Sequence, residues 1–165
     1  LDLAMTLIDR SRRLMEPVIR RGLHTWWRLS RGLTLGVRGL VLDGEGRIFL
    51  VKHSYVSGWH LPGGGVEQGE TALQALAREL HEEGNIELFE VPNLFGVYFN
   101  HRVSQRDHVL VYVVREFRQA QAPVPDREIV AHGFFALDQL PNDTTAGTRA
   151  RIAEILMGAP VSERW

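Results

Sequence analysis

Pro62-Gly63-Gly64-Gly65 constrains this chain more than any other four residues in it. A proline followed by three glycines suits neither a helix interior nor an ordinary strand, so the chain crosses this point as a loop. Without side chains in the way, such a loop lets its backbone approach another group closely. Ahead of it, residues 35–43 (LGVRGLVLD) and 47–55 (RIFLVKHSY) read as strands. Between them, Asp43-Gly44-Glu45-Gly46 predicts a hairpin turn. Behind the loop, residues 71–83 read as a helix. Thr71 is its N-cap, and Leu73, Leu76, Ala77 and Leu80 form the i, i+3, i+4, i+7 stripe.

Beyond that helix, residues 94–102 (LFGVYFNHR) and 108–117 (HVLVYVVREF) read as two strands joined by a polar segment. QAQAPVPDRE is a loop, EIVAHGFFAL a short strand, and DQLP a turn. Residues 144–158 form a closing helix with threonine at its start and Gly158 at the left-handed position past its end. Strands and helices mixed this way, with hairpin-type connections, indicate an α+β fold. The chain divides into a helical extension, residues 1–33, and a main domain, residues 34–165.

The extension is locally basic. Arg10, Arg12, Arg13, Arg20, Arg21, Arg28 and Arg31 outnumber Asp2, Asp9 and Glu16, with a helix break before Pro17. The preferred reading is a solvated arginine face on helices that pack on the domain or on a second copy in a homodimer, rather than on a membrane or nucleic acid. Globally the formal net charge is −1, so no strong field points to DNA or acidic membranes. Cysteine is absent, which excludes disulfides and thiolate metal sites and leans toward a reducing cytoplasm. No apolar run is long enough to span a bilayer, and no signal peptide is read in the sequence.

The helix after the glycine loop poses the functional question. It gathers Glu79, Glu82 and Glu83 near its C-terminal end. Like charges at i,i+3 and i,i+4 repel. Carboxylates there also oppose the helix dipole, at roughly 0.3–1 kcal/mol each when exposed. Three arrangements answer this: a solvated face, an ion-pair cluster with Arg78 and Arg102 or Arg106, or a hard divalent cation. The helix alone favours the first. The bare carbonyls of the preceding loop shift the balance to a cation such as Mg²⁺ or Mn²⁺, which takes oxygen ligands and is commonly shared with substrate phosphates.

The spacing then becomes diagnostic. Gly64, five residues, Glu70, seven residues, then Arg78-Glu79-Leu80-His81-Glu82-Glu83-Gly84-Asn85-Ile86 resembles the Nudix box, G-x5-E-x7-R-E-U-x-E-E-x-G-U with U aliphatic. Only the last glycine differs, and Asn85 is the next-best residue for a left-handed exit from a helix. The resemblance covers residues 34–156. It implies an α/β/α sandwich with a mixed sheet that hydrolyses a nucleoside diphosphate linked to another group.

Carried over by position, Glu79, Glu82 and Glu83 would bind Mg²⁺ or Mn²⁺, with the Gly63 carbonyl as a further ligand. Gly64, Glu70 and Arg78 would support the site. A carboxylate must take the attacking water's proton; Glu79 and Glu82 are candidates, as is a later acid, Glu128, with Asp126 behind it. Tyr55, Trp59 and Tyr98, with Phe95 and Phe99, are candidates for stacking on a nucleotide base, against the commoner role of strand aromatics in core packing. His53, His60, His101 and His108 read as loop or sheet residues. A non-catalytic nucleotide-binding module of the same fold and an RNA 5′-end pyrophosphohydrolase are the alternatives.

Overall fold

Strand β1, Thr34–Val41, buries both of its faces. Val37 and Val41 enter one apolar cluster and Leu40 a second. This two-sided burial is why β1 reads as an apolar run rather than an alternation. Strand β2, Ile48–His53, divides in the same way: Phe49 and Val51 join the first cluster, Ile48 and Leu50 the second. The computed structural model describes residues 32–125 and 127–165. The helices expected over residues 1–31, with their arginine face and the break at Pro17, and Asp126 lie outside the described residues.

Onward from β2 run β3 (Trp59–His60), α1 (Ala72–Gly84), β4 (Ile86–Leu88), β5 (Asn93–Phe99), β6 (Asp107–Val114), β7 (Phe117–Gln119) and β8 (Ile129–Phe135). A 3-10 turn at Leu137–Gln139 leads to α2 (Ala146–Leu156). Helix α1 contributes Ala75, Leu76 and Leu80 to the first cluster, and α2 contributes Ile152 to the second. The strands therefore lie between two helices, an α/β/α arrangement of α+β class. Strand orders are β1-β6-β5, β3-β2-β8 and β4-β7. Because β1 runs parallel to β6 and β5 antiparallel to it, the first sheet is mixed.

The hairpin expected at residues 43–46 is a turn without its ladder. Gly46 N–H donates to the Asp43 carbonyl at 3.0 Å, and the Asp43 carboxylate accepts from the Arg47 amide at 2.8 Å. One bridge follows, Leu42 to Ile48, and the strands then part into different sheets. The edge of β1 that a hairpin would use is occupied by the glycine loop. Val37 N–H donates to the Gly64 carbonyl and Gly39 N–H to the Pro62 carbonyl, both at 2.9 Å. Two smaller differences accompany this. Trp59–His60 pairs with β2 as a short strand, and the strand expected to reach residue 117 stops at Val114 before β7 pairs with β4.

Both ends of α1 follow from its sequence. Thr71 Oγ1 accepts from the Gln74 amide (3.2 Å) and Gln74 Oε1 from the Thr71 amide (2.9 Å), a reciprocal cap. Asn85 adopts φ 49°, left-handed, and its N–H reaches the His81 carbonyl. The buried stripe is rotated from the expected one: Leu73 is exposed, and Ala75 is buried with Leu76 and Leu80. That rotation carries Glu79 and Glu83 toward the packed side of the helix.

Tyr98 is a core residue, which corrects its assignment as a base-stacking candidate. It has no exposed surface, and its hydroxyl donates to Glu154 at 2.8 Å. Glu154 also accepts from Arg151 Nη2 (2.6 Å) and the Ser162 amide (3.0 Å). The Arg151 guanidinium lies 3.9 Å from the Tyr98 ring centroid. Every polar atom that Tyr98 could offer a ligand is thus already committed within the core.

Candidate active site

The loop before α1 and the acids on α1 are fitted to each other atom by atom. Gly63 has φ +136°, and a Cβ there would lie 2.1 Å from the Val37 carbonyl oxygen, so only glycine fits. Its N–H donates to Glu83 Oε2 at 2.7 Å in a buried hydrogen bond. At Gly64 a Cβ would stand 2.3 Å from Glu79 Oε1. The missing side chain of Gly64 leaves room for Glu79 against the loop, and the Gly63 amide holds Glu83 there.

Arg78 supplies the ion-pair compensation. It reaches Glu70 through Nε (3.0 Å) and Nη2 (3.1 Å), the Gly65 carbonyl through Nη2 (3.1 Å), and Glu79 through Nη1 (2.6 Å). Its Nη1 also lies 3.3 Å from Glu82, which is the outermost acid at 59% side-chain exposure. The Arg78 hydrogen bonds, more than any other cause, hold the Glu70 carboxyl below its usual range. One guanidinium thus ties the loop to the helix and offsets part of the acidic charge.

Glu83 is only partly compensated. Its side chain is only 8% exposed, and burial pushes its carboxyl up to about 7, with the charges of Glu79 and Glu128 adding to the effect. The Gly63 amide and Arg38 act the other way. His53 Nε2 stands 3.4 Å from Glu83 Oε1, but burial, then Arg38 and His60, lower the histidine's proton affinity.

Glu128 comes to the same place from the start of β8. Its carbonyl accepts from the Ser54 amide at 2.8 Å where the β2–β8 register slips. Tyr55, 66% exposed, donates its hydroxyl to Glu128 Oε1 at 3.2 Å and lies over the His53 ring at 5.1 Å.

The structure therefore gathers Gly63, Gly64, Glu70, Arg78, Glu79, Glu82, Glu83, Tyr55 and Glu128 around one loop. Trp59 belongs elsewhere, edge-on to Phe135 at 5.0 Å and against the α2-side cluster. The reason is the pairing with β2, which sets Trp59 opposite Lys52 and turns it away from His60. Phe95 packs against the Tyr98 cluster, and Phe99 lies between the rings of His101 and His108. Sequence reasoning left out Arg38 and did not assign His53 or His60 to the site. A signal for Arg38 existed: it is the one charge inside an otherwise apolar strand segment, residues 35–42.

Among the described residues, no three acidic or histidine side chains converge as a ready-made cation cage. Glu79 turns to Arg78, Glu83 to the Gly63 amide, and Glu82 outward. The donor chemistry nonetheless fits Mg²⁺ or Mn²⁺: hard carboxylate oxygens, one of them buried against like charge that a cation would relieve.

A stability test follows. A buried carboxyl raised above its unfolded value of 4.5 favours the folded state at low pH, and that stability is lost as pH climbs through about 7. For Glu83 the loss is on the order of 3 kcal/mol in metal-free protein. Melting in EDTA from about pH 5 to pH 8 should show this decline, and Glu83→Gln should flatten it and melt higher than wild type at pH 8. A flat wild-type profile would contradict the assignment.

Comparison with known proteins agrees with this architecture. A family model described as the NUDIX domain matches residues 32–155. Over 67 residues the chain is 39% identical to a MutT-like protein of Streptomyces ambofaciens, covering 41% of this chain and 43% of that protein. It is 38% identical over 60 residues to an RNA pyrophosphohydrolase of Legionella pneumophila, covering 36% and 34%. The chain thus spans less than half the length of these curated relatives. Among solved structures, a MutT NUDIX hydrolase from Burkholderia pseudomallei superimposes with a TM-score of 0.63 at 30% identity, covering 74% of this chain and 97% of that one. By its loop-and-helix site, its layered fold and its family match, the chain belongs to the Nudix hydrolase family.

Proposed function

We propose that the protein is a pyrophosphohydrolase that cleaves the diphosphate of a nucleoside diphosphate linked to another group, such as a nucleoside triphosphate or nucleotide sugar. The observation that carries the reading is the glycine loop fitted against Glu79 and Glu83, the second of them buried beside other acids. Glu79, Glu82, Glu83 and the Gly63 carbonyl would hold Mg²⁺ or Mn²⁺. When bound, such a cation neutralises charge on diphosphate oxygens and lowers the pKa of an attacking water.

The remaining work belongs to the chain's own groups. Arg78 and Glu70 keep the loop and helix in register, so the acids stay aimed at the substrate. Glu128, oriented by Tyr55, takes the water's proton, and the exposed Tyr55 ring offers a face for a base. Glu128→Gln should lower kcat by about 100-fold, with KM little changed. A kcat within about threefold of wild type would return the proton-accepting role to Glu79 or Glu82.

The direct test is product release from a panel of nucleoside triphosphates and diphosphate derivatives, with Mg²⁺, with Mn²⁺ and with EDTA. Metal-dependent turnover of one class supports the reading and names the substrate; silence from folded, metal-binding protein overturns it in favour of a non-catalytic module. A second reading, RNA 5′-end hydrolysis, is favoured by the match to RNA pyrophosphohydrolases, and a 5′-triphosphorylated oligonucleotide in the same panel tests it. The family acts on small nucleotide substrates. A homodimer and a cytoplasmic setting, without DNA as partner, remain proposals for the whole protein. Among the described residues, no helix is long and apolar enough to cross a membrane.

A further inference from the structure

Arg38 is a charge in an expensive position with an unused donor. It lies on β1 between Val37 and Gly39, whose amides are bonded to the Gly64 and Pro62 carbonyls, so its backbone is fixed against the glycine loop. Its Nη1 is buried and has no hydrogen-bond partner. Burial disfavours its charge, and the groups that offset this are Glu83 first, then Glu79, Tyr55 and Asp107. The strongest opposite charges acting on the guanidinium are therefore two acids that the proposed reading commits to a divalent cation.

Once those acids hold a cation, Arg38 becomes a positive charge beside a positive charge, still with an unsatisfied N–H. The chemistry that satisfies both is an oxyanion between them, and a guanidinium matches phosphate oxygens better than any other side chain does. We infer that Arg38 is a substrate-anchoring residue, donating from Nη1 to a non-bridging oxygen of the substrate's diphosphate. This rests on the proposed reading of the site as one for linked diphosphates. It adds a group from outside the loop and helix, and it makes the anchor part of the strand that the loop is stitched to.

The test separates anchor from counter-charge. Methylenediphosphonate, which resists hydrolysis, is titrated calorimetrically with Mg²⁺ into wild type, R38K and R38M, and Mg²⁺ alone is titrated in parallel. Folding is checked by melting, and R38Q replaces R38M if the latter does not fold. Expected for R38M is a diphosphonate affinity weakened about 10- to 100-fold, with R38K intermediate. Mg²⁺ alone should bind R38M as well as or better than wild type, because a like charge near Glu83 and Glu79 has gone.

A diphosphonate affinity within about threefold of wild type overturns the assignment. So does an equal loss of Mg²⁺ and diphosphonate binding that lysine does not rescue, and so does a wild type that fails to bind the diphosphonate. Hydrolysis is read separately. Arg38-dependent diphosphonate binding without turnover of any panel substrate would sink the hydrolase reading and leave the anchor in place.

Discussion

Glu82→Gln should lower metal-supported turnover by about 10²- to 10⁴-fold while leaving the melting temperature of metal-free protein unchanged or slightly raised. The two halves of this expectation come from one placement. Glu82 is the exposed member of the acid group, and its contact with Arg78 is the longest that guanidinium makes, at 3.3 Å. Removing its charge therefore takes little from the fold and relieves repulsion with Glu79 at i,i+3. For a cation shared with a diphosphate, the same carboxylate would be a direct oxygen donor, and a neutral amide a much poorer one. Turnover within about threefold of wild type would refute the placement of Glu82 among the metal ligands.

The second large effect concerns the fold. Gly63→Ala should destabilise by more than about 4 kcal/mol and leave little folded protein. A Cβ would meet the Val37 carbonyl oxygen at 2.1 Å and Arg38 Cα at 3.0 Å, both backbone atoms of a strand held along its length by β6. The positive φ adds strain of its own. Gly65→Ala is the internal control: nothing lies within 4 Å of the added atom, and its carbonyl still serves Arg78. It should melt within about 0.5 kcal/mol of wild type. Chemical denaturation of the pair decides the matter, and a Gly63→Ala protein as stable as the control would mean the loop relaxes in a way this geometry forbids.

Local rules made much of this legible in advance. Thr71, Asn85, Thr145 and Gly158 marked helix ends because caps depend on one or two residues and their immediate neighbours. The box spacing placed Glu70, Arg78 and the three acids because a single loop and helix carry them all. What was not legible depended on partners far along the chain. Strand β1 chose β6 over its sequence neighbour β2, and nothing within residues 35–55 reveals a pairing with residues 107–114. Tyr98 was a candidate for stacking on a base, beside the commoner reading of a strand aromatic as core. It is buried because Glu154 and Arg151, more than fifty positions later, arrive to satisfy its hydroxyl and cover its ring. Arg38 went unread since an isolated charge in an apolar strand acquires meaning only when the distant loop bonds to that strand on either side of it.

The bonding of the glycine loop to β1 has a kinetic consequence. One edge of β1 holds β6, whose register joins Thr34 to Asp107 and Val41 to Val114, and the other holds the backbone of Pro62 and Gly64. Contacts so distant in sequence form slowly, because a long stretch of chain must first be brought together. The loop therefore cannot reach its final shape until the distant half of the chain has docked, and it cannot open without breaking its bonds to β1. Protons on the Val37 and Gly39 amides should then exchange with solvent as slowly as those of the deepest core, through whole-domain unfolding alone.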